Sequence, residues 1–62
     1  MKGIKEAREA AGLSQEAAGH KLGVTRQTIK NWEDGVTEPS IGLVRAMAMV
    51  FHCTIEDLIK EG

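Results

Sequence analysis

The chain has 62 residues, 42% of them apolar and 27% charged, with a formal net charge of −1 at pH 7. That length allows one small domain, expected to span residues 1–62, and the composition excludes a long disordered tail or a collagen-like chain. The near-neutral charge speaks against a nucleic-acid binder at first sight, because a phosphate footprint usually shows as a basic domain.

In chain order, Lys2 to Ala11 is predicted as the first helix, with Ile4, Ala7, Arg8 and Ala11 on one face and Gly12 ending it. Leu13 follows as an inward anchor, and Ser14 caps a second helix over Gln15 to Leu22. Gly23 stops that helix. Thr25 caps a third, which runs through Glu33 and ends at Asp34 and Gly35. Two helices of about eight residues joined by a turn of about three make a helix-turn-helix. Val36 to Pro39 reads as a loop. The fourth helix, Ile41 to Phe51, is apolar almost all round, which predicts a buried central helix. Thr54 and Asp57 have capping-box spacing, with Asp in place of the usual Glu, and open a last helix over Ile55 to Lys60. No stretch alternates as a strand does. The expected fold is therefore all-α, a compact bundle of five short helices.

Residues 13–35 divide into two faces. Leu13, Ala17, Ala18, Leu22, Val24, Ile29 and Trp32 form an inward set, and Trp32 is read as core. Gln15, Arg26, Gln27, Thr28, Lys30 and Asn31 form an outward set without an acid. A helix N-terminus entering a DNA major groove needs such residues. Arginine reads guanine O6/N7, Gln or Asn reads adenine N6/N7, and a threonine methyl meets a thymine methyl. The helix dipole and first-turn amides favour nearby phosphate.

These residues resemble the phage lambda-type Cro/repressor family of helix-turn-helix proteins, also called the XRE family. The likeness is carried by Leu13 to Glu16, Lys21 to Ile29, Asn31 to Glu33, Gly35, Glu38 to Ser40, and the closing Phe51, Ile55 and Leu58. It spans about Ile4 to Ile59. The resemblance implies a lambda repressor-like fold with the third helix in the major groove. Carried over by position, it implies base contacts from Arg26, Gln27 and Asn31. It implies phosphate or groove-edge contacts from Gln15, Thr25, Thr28, Lys30 and the Val36 to Ser40 loop, and an internal ion pair between Arg8 and Glu33. Lys21 and Lys30 also fit plain solvated surface. Ala18 stands where the family usually has Leu and Gly19 where it usually has Ala, so the second helix is expected to pack thinly, the glycine costing about 0.5–1 kcal/mol. The loop lacks Lys and Arg and carries Glu38, which weakens the phosphate clamp there.

The expected function is a sequence-specific transcriptional regulator, a small Cro-like repressor that binds double-stranded operator DNA as a homodimer. Its dimer surface is placed at His52, Cys53, Ile55 and Ile59, with Met47 and Met49 as core or dimer filler. A core this small is expected to gain from a partner copy. With no room for a sensor domain, regulation is expected through abundance, competition or an anti-repressor protein. An antitoxin partnering a toxin and a protein-interaction module of the same fold are the alternatives. The first needs a toxin-binding surface or tail. The second would show acids on the outer face of the third helix, and none lies between Glu16 and Glu33.

An enzyme is not expected, since no paired carboxylates, nucleophile triad or glycine-rich phosphate loop occurs. Nor is a cofactor, a metal or a small-molecule substrate. Cys53 is the one cysteine; it cannot form an internal disulfide and suits a reducing cytoplasm, in a bacterial or phage setting. His20 and His52 read as surface residues. The charged N-terminal stretch lacks a signal peptide's apolar region, and no apolar run reaches the ~20 residues of a membrane span. The net charge resolves into patches. Lys21, Arg26 and Lys30 face no acid from His20 to Trp32, whereas Glu33, Asp34 and Glu38 follow at once, and Glu56, Asp57 and Glu61 outweigh Lys60 near the end.

Overall fold

Hydroxyl caps set the starts of four of the five helices. In the computed structural model, which describes residues 1–60, these are α1 (Lys2–Ala10), α2 (Gln15–Leu22), α3 (Arg26–Asp34), α4 (Ile41–Val50) and α5 (Ile55–Ile59). Ser14 Oγ accepts from the Ala17 amide at 3.0 Å, and Thr25 Oγ1 from the Thr28 amide at 3.1 Å. Ser40 Oγ accepts from Leu43 at 3.3 Å and Thr54 Oγ1 from Asp57 at 3.1 Å. Asp57 closes the box by accepting from the Thr54 amide at 3.1 Å, so the shorter acid does what Glu usually does. Gly23 and Gly35 end α2 and α3 in the left-handed region, at φ +75° and +78°. Glu61, counted in the acidic C-terminal stretch, lies outside the described residues.

The core draws on every element: Ile4 and Ala7 from α1, Ala18 from α2, Ile29 and Trp32 from α3, Val44 and Met47 from α4, then Phe51 and Leu58. The two most extensive packings set α2 against α3 and α1 against α5, and α4 joins α2 to α5. No strand occurs among the described residues. This is the all-α bundle of five short helices that the residue pattern predicted, with the arrangement the family resemblance implied.

Boundaries differ slightly from the sequence reading. Ala11 caps α1 instead of belonging to it, and α3 includes Asp34. Phe51 is the cap of α4, and α5 stops at Ile59.

Two expectations need correcting. The α4 helix is not buried all round: Val44 and Met47 face the core, whereas Ile41, Gly42, Arg45 and Met49 are exposed, Met49 at 78%. Uniform apolarity hid which face turns inward. Gly19 is also more than a weak point in α2. A Cβ there would lie 2.7 Å from the Val24 carbonyl oxygen, so glycine lets α2 close against the turn backbone. Gly3 plays the same part between α1 and α5, where a Cβ would lie 1.9 Å from the Asp57 carbonyl oxygen. Its amide donates to the Lys60 carbonyl at 3.1 Å.

Candidate nucleic-acid interface

The α3 helix has two chemistries on opposite sides. Ile29 and Trp32 are buried, and Trp32 is core. Arg26, Gln27 and Lys30 are exposed, and Thr28 and Asn31 are half-buried. The first turn of α3 holds no acid, so nothing there opposes an approaching phosphate or guanine. Neither Arg26 nor Lys21 forms an ion pair within the described residues.

Several polar groups of this surface already pair with one another. Gln27 Nε2 donates to Asn31 Oδ1 at 3.0 Å. The Thr25 and Thr28 hydroxyls lie 2.9 Å apart. Lys30 Nζ sits 2.7 Å from Asp34 Oδ2, with both side chains about half exposed. An exposed pair of this kind contributes little, about 0.3–0.5 kcal/mol at i,i+4 spacing, so Lys30 is free to exchange Asp34 for a phosphate.

A buried brace holds the motif. Arg8 Nε lies 2.6 Å from Glu33 Oε2, with side-chain exposures of 9% and 3%. Arg8 Nη1 donates to the Leu13 carbonyl at 2.8 Å. Gln15 Nε2 donates to Glu33 Oε1 at 2.9 Å. The side chain of Gln15 therefore turns inward, which leaves its backbone amide and one remaining Nε2 hydrogen for a phosphate. The brace links α1, α2 and α3 through one carboxylate, and the described residues contain no buried side-chain nitrogen or oxygen lacking a partner.

The residues assigned to a dimer surface lie at the other end of the chain. His52 and Ile59 are exposed, Ile59 at 47%, and Cys53 and Ile55 are half-buried against the core. Burial, then the Asp57 carboxylate, pushes the Cys53 thiol above its usual range. The Thr54 amide, then its hydroxyl, holds the Asp57 carboxyl below the usual value. Met49, here solvent-facing, joins Ile59 as exposed apolar surface, while Met47 is core. Among the described residues no group of three or more His, Cys, Asp or Glu could hold a metal ion, and no helix is long and apolar enough to cross a membrane.

The sequence reading missed the pairing of Gln27 with Asn31 and of Lys30 with Asp34, although i,i+4 spacing on one helix face is the signal for both. It also missed the Gln15 link to Glu33. No local pattern marks that contact, since the residues are 18 apart.

A capped helix, a glycine turn and a second helix whose polar first turn holds no acid define a helix-turn-helix protein. The helix-turn-helix family model matches residues 4–58. Over 55 residues, 89% of this chain, an uncharacterized HTH-type transcriptional regulator of Archaeoglobus fulgidus is 44% identical, with 79% of its own length covered. The HTH-type regulator YgzD of Bacillus subtilis is 40% identical over the same share of this chain and 83% of its own. A third, from Methanocaldococcus jannaschii, is 42% identical, again over 83% of its length. The chain belongs to the XRE-type helix-turn-helix family, a family of DNA-binding transcriptional regulators and not a class of enzymes.

Proposed function

We propose that this protein is a sequence-specific regulator, a small Cro-like repressor, that binds operator DNA as a homodimer with α3 in the major groove. The observation that carries the reading is the edge of α3: Arg26, Gln27 and Asn31 lie on a helix whose first turn holds no acid and whose opposite side is locked into the core by Ile29 and Trp32. Arg26 donates to guanine O6 and N7, and the amides of Gln27 and Asn31 take adenine. The amide of Gln15 and the hydroxyls of Thr25 and Thr28 meet phosphates or the groove edge, with Lys30 beside them. Glu33, held by Arg8 from α1 and by Gln15 from α2, braces α3 for that contact.

Two copies meet through Ile59, His52, Cys53 and Ile55, with Met49 adjoining. They set their recognition helices about 34 Å apart on a near-palindromic site. We place the protein in the cytoplasm, at the nucleoid.

Selection of bound DNA from a random pool tests this reading. The expected product is a near-palindrome with half-sites one helical turn apart. A pool without enrichment would overturn sequence-specific binding, and enrichment of a lone half-site would overturn the dimer.

A further inference from the structure

We infer that Gln27 and Asn31 read one base pair jointly, as a single donor–acceptor unit, and not one base pair each. The inference rests on the placement of α3 proposed above. Gln27 Nε2 donates to Asn31 Oδ1 at 3.0 Å, across one turn of the helix. A primary amide carries one carbonyl oxygen and two N–H donors. A free Asn or Gln reads adenine alone, its oxygen accepting from N6 and its nitrogen donating to N7. Asn31 is not free in this sense, because Gln27 takes one of the two lone pairs on its oxygen and ties the two amides together.

What the pair presents outward is therefore composite. Asn31 offers its amino group, and Gln27 offers its carbonyl oxygen with one remaining N–H at its side. Exchanging which amide donates leaves the same set: one outward amino group beside one outward carbonyl. Adenine matches it, N7 accepting from one amide and the N6 amino group donating to the other. Guanine matches less well, since O6 and N7 are both acceptors and leave the outward carbonyl without a donor. Guanine falls instead to Arg26, a donor-only group that forms no ion pair within the described residues.

The unit is also held in place. Asn31 is half-buried, and its backbone carbonyl accepts from the Val36 amide at 2.9 Å and the Thr37 amide at 3.4 Å, in the closure of α3. Gln27 is exposed, so Asn31 supplies the anchored end and Gln27 the solvent-facing one. Gln27 is in this sense a positioning residue for Asn31 as well as a reader.

The test uses the untagged full chain and the duplex that selection returns, with every single base-pair variant of its half-site. Gln27→Ala, Asn31→Ala and the double variant are compared with the parent protein, their folds matched by circular dichroism. Each single variant is expected to lose discrimination at the same A·T pair, by roughly 10–100-fold. The double variant is expected to lose no more than either single one, because the unit is already broken. Replacing that adenine by 7-deazaadenine should weaken the parent protein and leave Asn31→Ala unchanged. A purely structural role for the pair would not produce this result. Losses at two different base pairs that multiply in the double variant would overturn joint reading and leave the placement of α3 standing. A parent protein without any base preference would overturn both.

Discussion

Glu33 accepts from Arg8 and from Gln15 while almost fully buried, and this one carboxylate fixes how three helices meet. Removing one partner of a buried pair leaves the other charge unpaired. Arg8→Ala is therefore expected to destabilise the fold by about 3–5 kcal/mol in urea unfolding. A loss below about 1 kcal/mol would show that the pair is ordinary surface chemistry. Arg8 and Glu33 could be paired from the family resemblance, but the third member could not. Gln15 has no local feature that distinguishes a solvent-facing glutamine from one turned inward, and its partner comes from another helix. Lys30 carries a different expectation. Lys30→Ala should weaken binding to every DNA sequence and reduce the salt slope by about one unit. An unchanged slope would mean that Lys30 stays with Asp34 in the complex.

Among the elements, helix starts could be read from single residues, because Ser14, Thr25, Ser40 and Thr54 each act within three residues of themselves. Close approaches could not, because the neighbour arrives from elsewhere in the chain. Gly3 lies in α1, where alanine is intrinsically better by about 0.8–1 kcal/mol. A methyl there would nevertheless run into the backbone of α5. Gly3→Ala is expected to lower stability, by about 1–3 kcal/mol net; a gain would show that α5 can move away freely.

The exit from α4 supplies another test. His52 adopts φ +56°, a region that suits glycine. His52→Gly should raise the monomer's unfolding free energy by about 0.5–1 kcal/mol, measured at protein concentrations too low for dimers. The start of α5 depends on pH. The Thr54 amide keeps the folded Asp57 carboxyl below its usual value of 3.8, so the cap stabilises fully above that pH and is lost as pH falls through the folded value. Asp57→Asn should flatten the acid limb of the stability curve below about pH 4, with little change in its slope near neutrality.

At the scale of the whole molecule, the charge of −1 no longer argues against DNA, because it sums opposed surfaces. The cations on the α2–α3 face are Lys21, Arg26 and Lys30, and the last is already paired. On the proposed placement of α3, each copy is expected to make few phosphate contacts, with affinity resting on base contacts and on doubling the site. A dimer should show a salt slope between about −3 and −6, short of strongly basic repressors. Ile59→Asp should shift sedimentation toward the monomer, and a variant that sediments unchanged would remove α5 from the interface. The exposed side of α4 could not be read from composition, since a helix with apolar residues all round gives no contrast between faces; packing against α2 and α5 decides which residues turn inward.

If α3 reads base edges, Arg26 is the side chain whose loss should show it. Binding of Arg26→Ala and of the parent protein should be compared on the selected duplex and on each single base-pair change of its half-site. A loss of about 1–3 kcal/mol is expected, confined to one G·C pair, with that pair no longer distinguished by the variant. An equal loss on every duplex, with discrimination intact, would contradict it and make Arg26 a phosphate contact.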